Sequence, residues 1–105
     1  MEAKIYSFKA WINITDAKKI KKYIYNILNQ SNFKIFNYCE HYFNPIGYTA
    51  IWLLGESHCA VHTFPEENRS YLELSSCSKQ KYNNFISIIN NSGFLLKQEE
   101  KVNNE

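Results

Sequence analysis

The spacing of apolar and polar positions changes several times along this chain, and each change marks an element. Ile5 to Ile12 mixes β-branched and aromatic residues and predicts a strand. Thr15 or Asp16 can cap a helix that starts at Ala17. There Ile20, Tyr23, Ile24, Ile27 and Leu28 recur at helical spacing on one face. Lys18, Lys19, Lys21 and Lys22 fall mostly off that face and read as its solvated side. Asn29-Gln30-Ser31-Asn32 is a turn cluster. Phe33 to Phe43, rich in aromatics, predicts a second strand, which Asn44-Pro45-Ile46-Gly47 breaks. Tyr48 to Leu54 is almost continuously apolar and predicts a buried strand. Gly55-Glu56-Ser57 interrupts it, and His58 to Phe64 resumes as a strand as far as Pro65. Ser70 to Ser76 alternates, with Leu72 and Leu74 on one face. Ser78 can cap a second helix with the stripe Tyr82, Phe85, Ile86 and Ile89, which Gly93 ends. Phe94 to Leu96 predicts a last short strand, and Glu99 to Glu105 a frayed polar end.

Consecutive strands joined by short turns imply an antiparallel sheet. The order strand, helix, several strands, helix, strand predicts an α+β fold, a two-layer sandwich with two helices on one face of the sheet. The length of 105 residues, without repeat or linker, fits one domain over 1–105. A domain of this size buries a modest share of its surface, so a dimer partner adds stability.

Composition narrows the function classes. A formal net charge of +2 is too weak to indicate a nucleic-acid partner. No apolar run reaches the length of a membrane span, and the start Met1-Glu2-Ala3-Lys4-Ile5 lacks the apolar core of a signal peptide. Three cysteines, Cys39, Cys59 and Cys77, cannot all pair within the chain and show no zinc-knuckle spacing. Free thiols in a reducing cytoplasm are expected.

One stretch concentrates reactive groups: Gly55-Glu56-Ser57-His58-Cys59-Ala60-Val61-His62-Thr63-Phe64-Pro65-Glu66, with Cys77 at the end of the next strand. Ser57 sits at a Gly-preceded break in an apolar strand, where the backbone can be bent, and a strained peptide bond beside a hydroxyl is a candidate site for attack on the preceding carbonyl. His58 and His62 share one strand face, and Ser57 lies on the other unless the break rotates the chain. Cys77 can approach His62 if their strands are neighbours.

The set Glu56-Ser57-His58, His62-Thr63, Pro65-Glu66 and Cys77 resembles the short prokaryotic S-adenosylmethionine decarboxylases. Their pattern is Glu-Ser-His, His-Thr-Trp-Pro-Glu and a later Cys-Gly. Phe43, Pro45, Gly47 and Thr49 also fall in register. The resemblance implies an inactive proenzyme in which the Ser57 hydroxyl attacks the Glu56 carbonyl to give an ester. β-Elimination then cuts the chain between Glu56 and Ser57 and leaves a pyruvoyl group derived from Ser57. His62 matches the residue that moves a proton in processing, and Thr49 a hydroxyl that steadies the processing intermediate. Cys77 matches the acid that protonates the substrate carbon. A pyruvoyl carbonyl is an electron sink for decarboxylation, and a thiol with a reference pKa of about 8.5 suits proton donation. Phe43 and Phe64 match aromatics that stack adenine, and Glu66 a carboxylate for the ribose hydroxyls. The implied substrate is S-adenosylmethionine, in polyamine (spermidine) biosynthesis, and the implied partner a second copy in a homodimer.

The pattern is not followed throughout. Phe64 replaces Trp, Glu73 stands for Asp, Ser78 for Gly, and Cys59 for an apolar residue. These departures bear on substrate more than on processing, and arginine or ornithine is the alternative substrate on the same scaffold. Two rival readings remain. One is a metal site from His58, Cys59, His62 and Cys77. The other is a non-catalytic relative that pairs with an active partner. No metal is needed to account for Ser57 and Glu66.

Overall fold

The computed structural model describes residues 4–98, so the fraying expected of Glu99 to Glu105 lies outside the described residues. The strands are β1 (Tyr6–Ile12), β2 (Ile35–Tyr42), β3 (Tyr48–Leu54), β4 (Ser57–Phe64), β5 (Arg69–Ser76) and β6 (Leu95–Gln98). The helices are α1 (Ala17–Gln30) and α2 (Lys79–Asn90), and Pro65–Glu67 forms a single 3-10 turn. The sheet runs β2-β3-β4-β5-β1-β6 with every neighbour antiparallel. The α+β two-layer sandwich expected from the order of elements is the fold found.

Local chemistry sets the helix ends. Asp16 rather than Thr15 caps α1, its carboxylate accepting the Lys19 N–H at 3.0 Å. The Ser78 hydroxyl caps α2 by accepting the Lys81 N–H at 3.3 Å. α1 buries Ile20, Ile24, Ile27 and Leu28, and α2 buries Phe85 and Ile89. Their sheet partners include Phe8, Ile12, Trp52, Leu54, Val61, Leu72 and Leu74. The opposite sheet face follows from period-two alternation and carries Thr49, Ile51 and Leu53 from β3 with His58, His62 and Phe64 from β4. No described helix packs on it. Ile51 and Leu53 are 45% and 52% exposed there.

The second strand is shorter than the aromatic run suggests. Asn32 takes a left-handed φ of 71°, which turns Phe33 into the core before β2 begins. A register shift between Ile35 and Asn37 follows. At that sheet edge Glu40 accepts hydrogen bonds from the Tyr38 and Tyr48 hydroxyls and pairs with Lys21 of α1 at 3.3 Å. The tyrosine hydrogen bonds hold Glu40 below the usual carboxylate range, while burial and Glu40 push Tyr38 up to about 12.

Phe85 is fully buried and meets Phe8 edge-on at 5.9 Å, joining α2 to β1. Phe85→Ala is expected to cost about 3–5 kcal/mol in urea unfolding, the range for emptying a buried aromatic site.

Candidate active site

The β3–β4 hairpin turns on two residues, Gly55 and Glu56. Glu56, not the glycine, takes the left-handed conformation, with φ 53°. That geometry costs a side-chain-bearing residue about 1–2 kcal/mol. The turn stores this strain one bond before the Ser57 nitrogen. Ser57 then opens β4 with its side chain on the helix-facing side, 7% exposed. Its Oγ donates to Ser76 Oγ at 3.3 Å and accepts the Cys77 backbone N–H at 3.4 Å. Ser76 Oγ accepts the Ser78 N–H at 3.0 Å and donates to the Ser78 carbonyl at 3.2 Å. The Ser57 hydroxyl is thereby tied to the N-terminus of α2, where the helix dipole favours negative charge. Cys77 is exposed at the same end.

A second group forms at the other end of β4. His62 and Thr49 are cross-strand partners, and Thr49 Oγ1 lies 3.0 Å from His62 Nδ1. This contact orients the ring on the open face. Phe64 packs on Trp11 with centroids 5.7 Å apart, and Trp11 meets Tyr71 at 4.9 Å. The Arg69 guanidinium lies 3.6 Å over Trp11 and is held by Glu67 at 2.8 Å. Glu66 is exposed in the 3-10 turn that follows Phe64. Phe43 is 52% exposed beyond β2; its N–H donates to the Gly47 carbonyl at 2.8 Å, and its ring lies 4.6 Å from His41.

Ser57 and His62 are therefore separated by five residues of extended strand, roughly 16 Å at about 3.3 Å per residue. They also point to opposite faces, because β4 starts at Ser57 and the break does not rotate the chain. Cys77 does not approach His62. Their strands are neighbours, but His62 faces Tyr71, whereas Cys77 follows Ser76 at the Ser57 end. His58 lies between Leu53 and Ser75, on the face away from the Ser57 side chain. Phe43 and Phe64 share the His62 end, each against a different neighbour.

Two participants escaped the sequence reading. Ser76 reads as the last residue of an alternating strand, and Trp11 as part of β1. The signal for Ser76 was its even spacing from Leu72 and Leu74: a serine on an apolar face needs a buried partner. The metal reading loses its ligands. Cys59 is wholly buried, and burial, with Glu73 adding, pushes its thiol well above the usual range. His58 and His62 lie on the opposite face. No cluster of three or more His, Cys, Asp or Glu among the described residues could hold a metal ion.

Comparison with known proteins places the fold and the family. A family model described as S-adenosylmethionine decarboxylase matches residues 6–99. An S-adenosylmethionine decarboxylase proenzyme of Syntrophomonas wolfei is 29% identical over 75 residues, covering 71% of this chain and 59% of the relative. One from Moorella thermoacetica is 27% identical over 67 residues, covering 64% and 54%. The chain thus spans little more than half the length of these relatives. The crystal structure of the adenosylmethionine decarboxylase from Aquifex aeolicus superposes with a TM-score of 0.71 at 21% identity, over 100% of this chain and 98% of that one. At that identity the likeness is one of fold.

Native thiol labelling separates the cysteines. Cys59 should resist iodoacetamide in the folded protein and react once urea is added, as read by peptide mapping. Native labelling of Cys59 at the rate of Cys77 would contradict the placement of its side chain.

Proposed function

This chain belongs to the S-adenosylmethionine decarboxylase family, and from that premise we propose that it is a pyruvoyl-dependent carboxy-lyase acting on S-adenosylmethionine. In this reading it is made as a precursor that cuts itself between Glu56 and Ser57. The observation that carries the reading is the Ser57 hydroxyl, held by two hydrogen bonds next to a peptide whose preceding residue is strained. Attack of Oγ on the Glu56 carbonyl exchanges the amide for an ester and releases the strained turn.

The residues around Ser57 fit a pyruvoyl group at the same place. The Cys77 N–H and the α2 N-terminus favour negative charge there, and the Ser57 side chain is 7% exposed. That group supplies the electron sink for decarboxylation. Cys77 holds at Sγ the proton that replaces the departing carboxyl group. Thr49 fixes the His62 ring through Nδ1 and so directs Nε2 as the site that moves a proton in processing. Phe43 and Phe64 offer faces for an adenine ring, Trp11 enlarges the Phe64 surface, and Glu66 offers a carboxylate to the ribose hydroxyls. The names of the matching relatives favour S-adenosylmethionine over arginine or ornithine. The product then belongs to polyamine (spermidine) synthesis in the cytoplasm.

The separation of Ser57 from His62 calls for a second copy. A homodimer that sets the two open sheet faces together about a two-fold axis brings the Ser57–Cys77 end of one protomer to the Thr49–His62 end of the other. Exposed Ile51 and Leu53 supply apolar contact, as expected of a sheet face that needs a cover. Glu56 is exposed in its turn at the end of the sheet, and in this reading the partner's imidazole reaches the Glu56–Ser57 peptide at that turn while the Ser57 side chain stays on the helix-facing side.

Intact-mass measurement of purified protein tests the activity. Two fragments are expected, split before Ser57, the second carrying a carbonyl-reactive end. Ser57→Ala should stay whole. Cys77→Ala should still split but release carbon dioxide from S-adenosylmethionine about 100-fold more slowly, within the usual range for a lost general acid. Cleavage of the Ser57→Ala chain at the same bond would refute the mechanism.

A further inference from the structure

Resting on the self-processing reading above, we propose that Ser76 is a positioning residue for cleavage, its buried hydroxyl aiming the Ser57 oxygen at the Glu56 carbonyl. Ser76 is 1% exposed on the strand face that otherwise buries Leu72 and Leu74. A hydroxyl on such a face is costly unless its hydrogen bonds are made. Here they are made with two groups only: the Ser57 hydroxyl, and the Ser78 backbone through both its N–H and its carbonyl. Helix capping does not require Ser76, because the Ser78 side chain already caps α2.

The arrangement suits the attacking atom. A serine side chain has three staggered rotamers and a freely turning O–H. Ser76 takes the O–H of Ser57, and the Cys77 N–H takes one lone pair, which leaves the other lone pair of Oγ free. In the attack, the Oγ–carbonyl carbon bond forms and the carbon–nitrogen bond between Glu56 and Ser57 breaks. The proton lost by Oγ ends on the departing nitrogen, now a free amine, so the step needs no outside reagent. Negative charge on Oγ as it gives up its proton faces the Cys77 N–H, beside the N-terminus of the 12-residue α2. Ser76 touches neither the carbonyl nor the leaving nitrogen and acts through Ser57 alone.

The test follows cleavage of freshly made precursor over time for the unaltered chain, Ser57→Ala, Ser76→Ala, Ser76→Cys and Ser76→Thr. Each is run with and without hydroxylamine, which cuts the ester once it has formed, and melting is recorded in parallel. Ser76→Ala is expected to cleave about tenfold more slowly, the effect of one lost neutral hydrogen bond. Hydroxylamine should not restore its rate, because the ester itself forms slowly, and Ser76→Thr, which keeps the hydroxyl, should restore it. Ser76→Cys, close in shape but a weak hydrogen-bonding group, is expected to be slow as well and carries the test if the alanine variant does not fold. Cleavage of Ser76→Ala or Ser76→Cys at the unaltered rate, or full rescue by hydroxylamine, would overturn the role of Ser76 and leave self-processing intact. An unaltered chain that stays whole, or a Ser57→Ala chain that splits, removes the processing reading and this inference with it.

Discussion

The alternation of one strand governs this molecule. β4 places Ser57, Cys59, Val61 and Thr63 toward the helices and His58, His62 and Phe64 toward the open face. Cys59 and Val61 complete the core, so the register cannot slip by one residue without turning them outward and bringing His62 inside. The same register sets Ser57 opposite Ser76 and His62 opposite Tyr71. Packing therefore decides which reactive groups meet, and it separates the hydroxyl from the imidazole by nearly the length of the strand. In the proposed function, one chain holds two halves of a site, one at each end of its sheet.

Each half is organised by backbone geometry as much as by side chains. At the Ser57 end a two-residue turn leaves Glu56 left-handed, and the start of α2 supplies backbone N–H groups to the two serine hydroxyls. In the proposed self-processing, strain next to the bond and positive potential beside the oxygen both favour attack over the intact amide. At the His62 end the device is a cross-strand pair, Thr49 with His62, beside an aromatic group built from Trp11, Phe64 and Tyr71. The indole of Trp11 stands next to Phe64, where the family pattern has a tryptophan.

Much of this was legible in the sequence. Helical spacing of Ile20, Ile24 and Ile27 and the alternation around Leu72 and Leu74 gave the layers; the Ser78 cap was readable, and the first cap was narrowed to Thr15 or Asp16, of which the structure uses Asp16. The motif gave Ser57, His62 and Cys77 as residue types at their spacings. It did not give their grouping, since Cys77 joins Ser57 only through the β4–β5 register, a long-range pairing that local pattern does not encode. Nor did it give the left-handed residue. Glycine tolerates that conformation best, yet the hairpin assigns it to Glu56. Ser76 shares the apolar face of Leu72 and Leu74 by spacing, but its partner, the Ser57 hydroxyl, comes from another strand and is set only by the fold.

The claim on which the account rests is that hydroxyl and imidazole act across two copies. The most direct measurement co-expresses His62→Ala and Ser57→Ala chains bearing distinguishable tags and records which chain is cut. The account predicts that the His62→Ala chain, still carrying Ser57, stays whole alone and is cut in the mixture, where its partner contributes the imidazole. A His62→Ala chain that stays whole in the mixed dimer, or is cut equally fast alone, would contradict it.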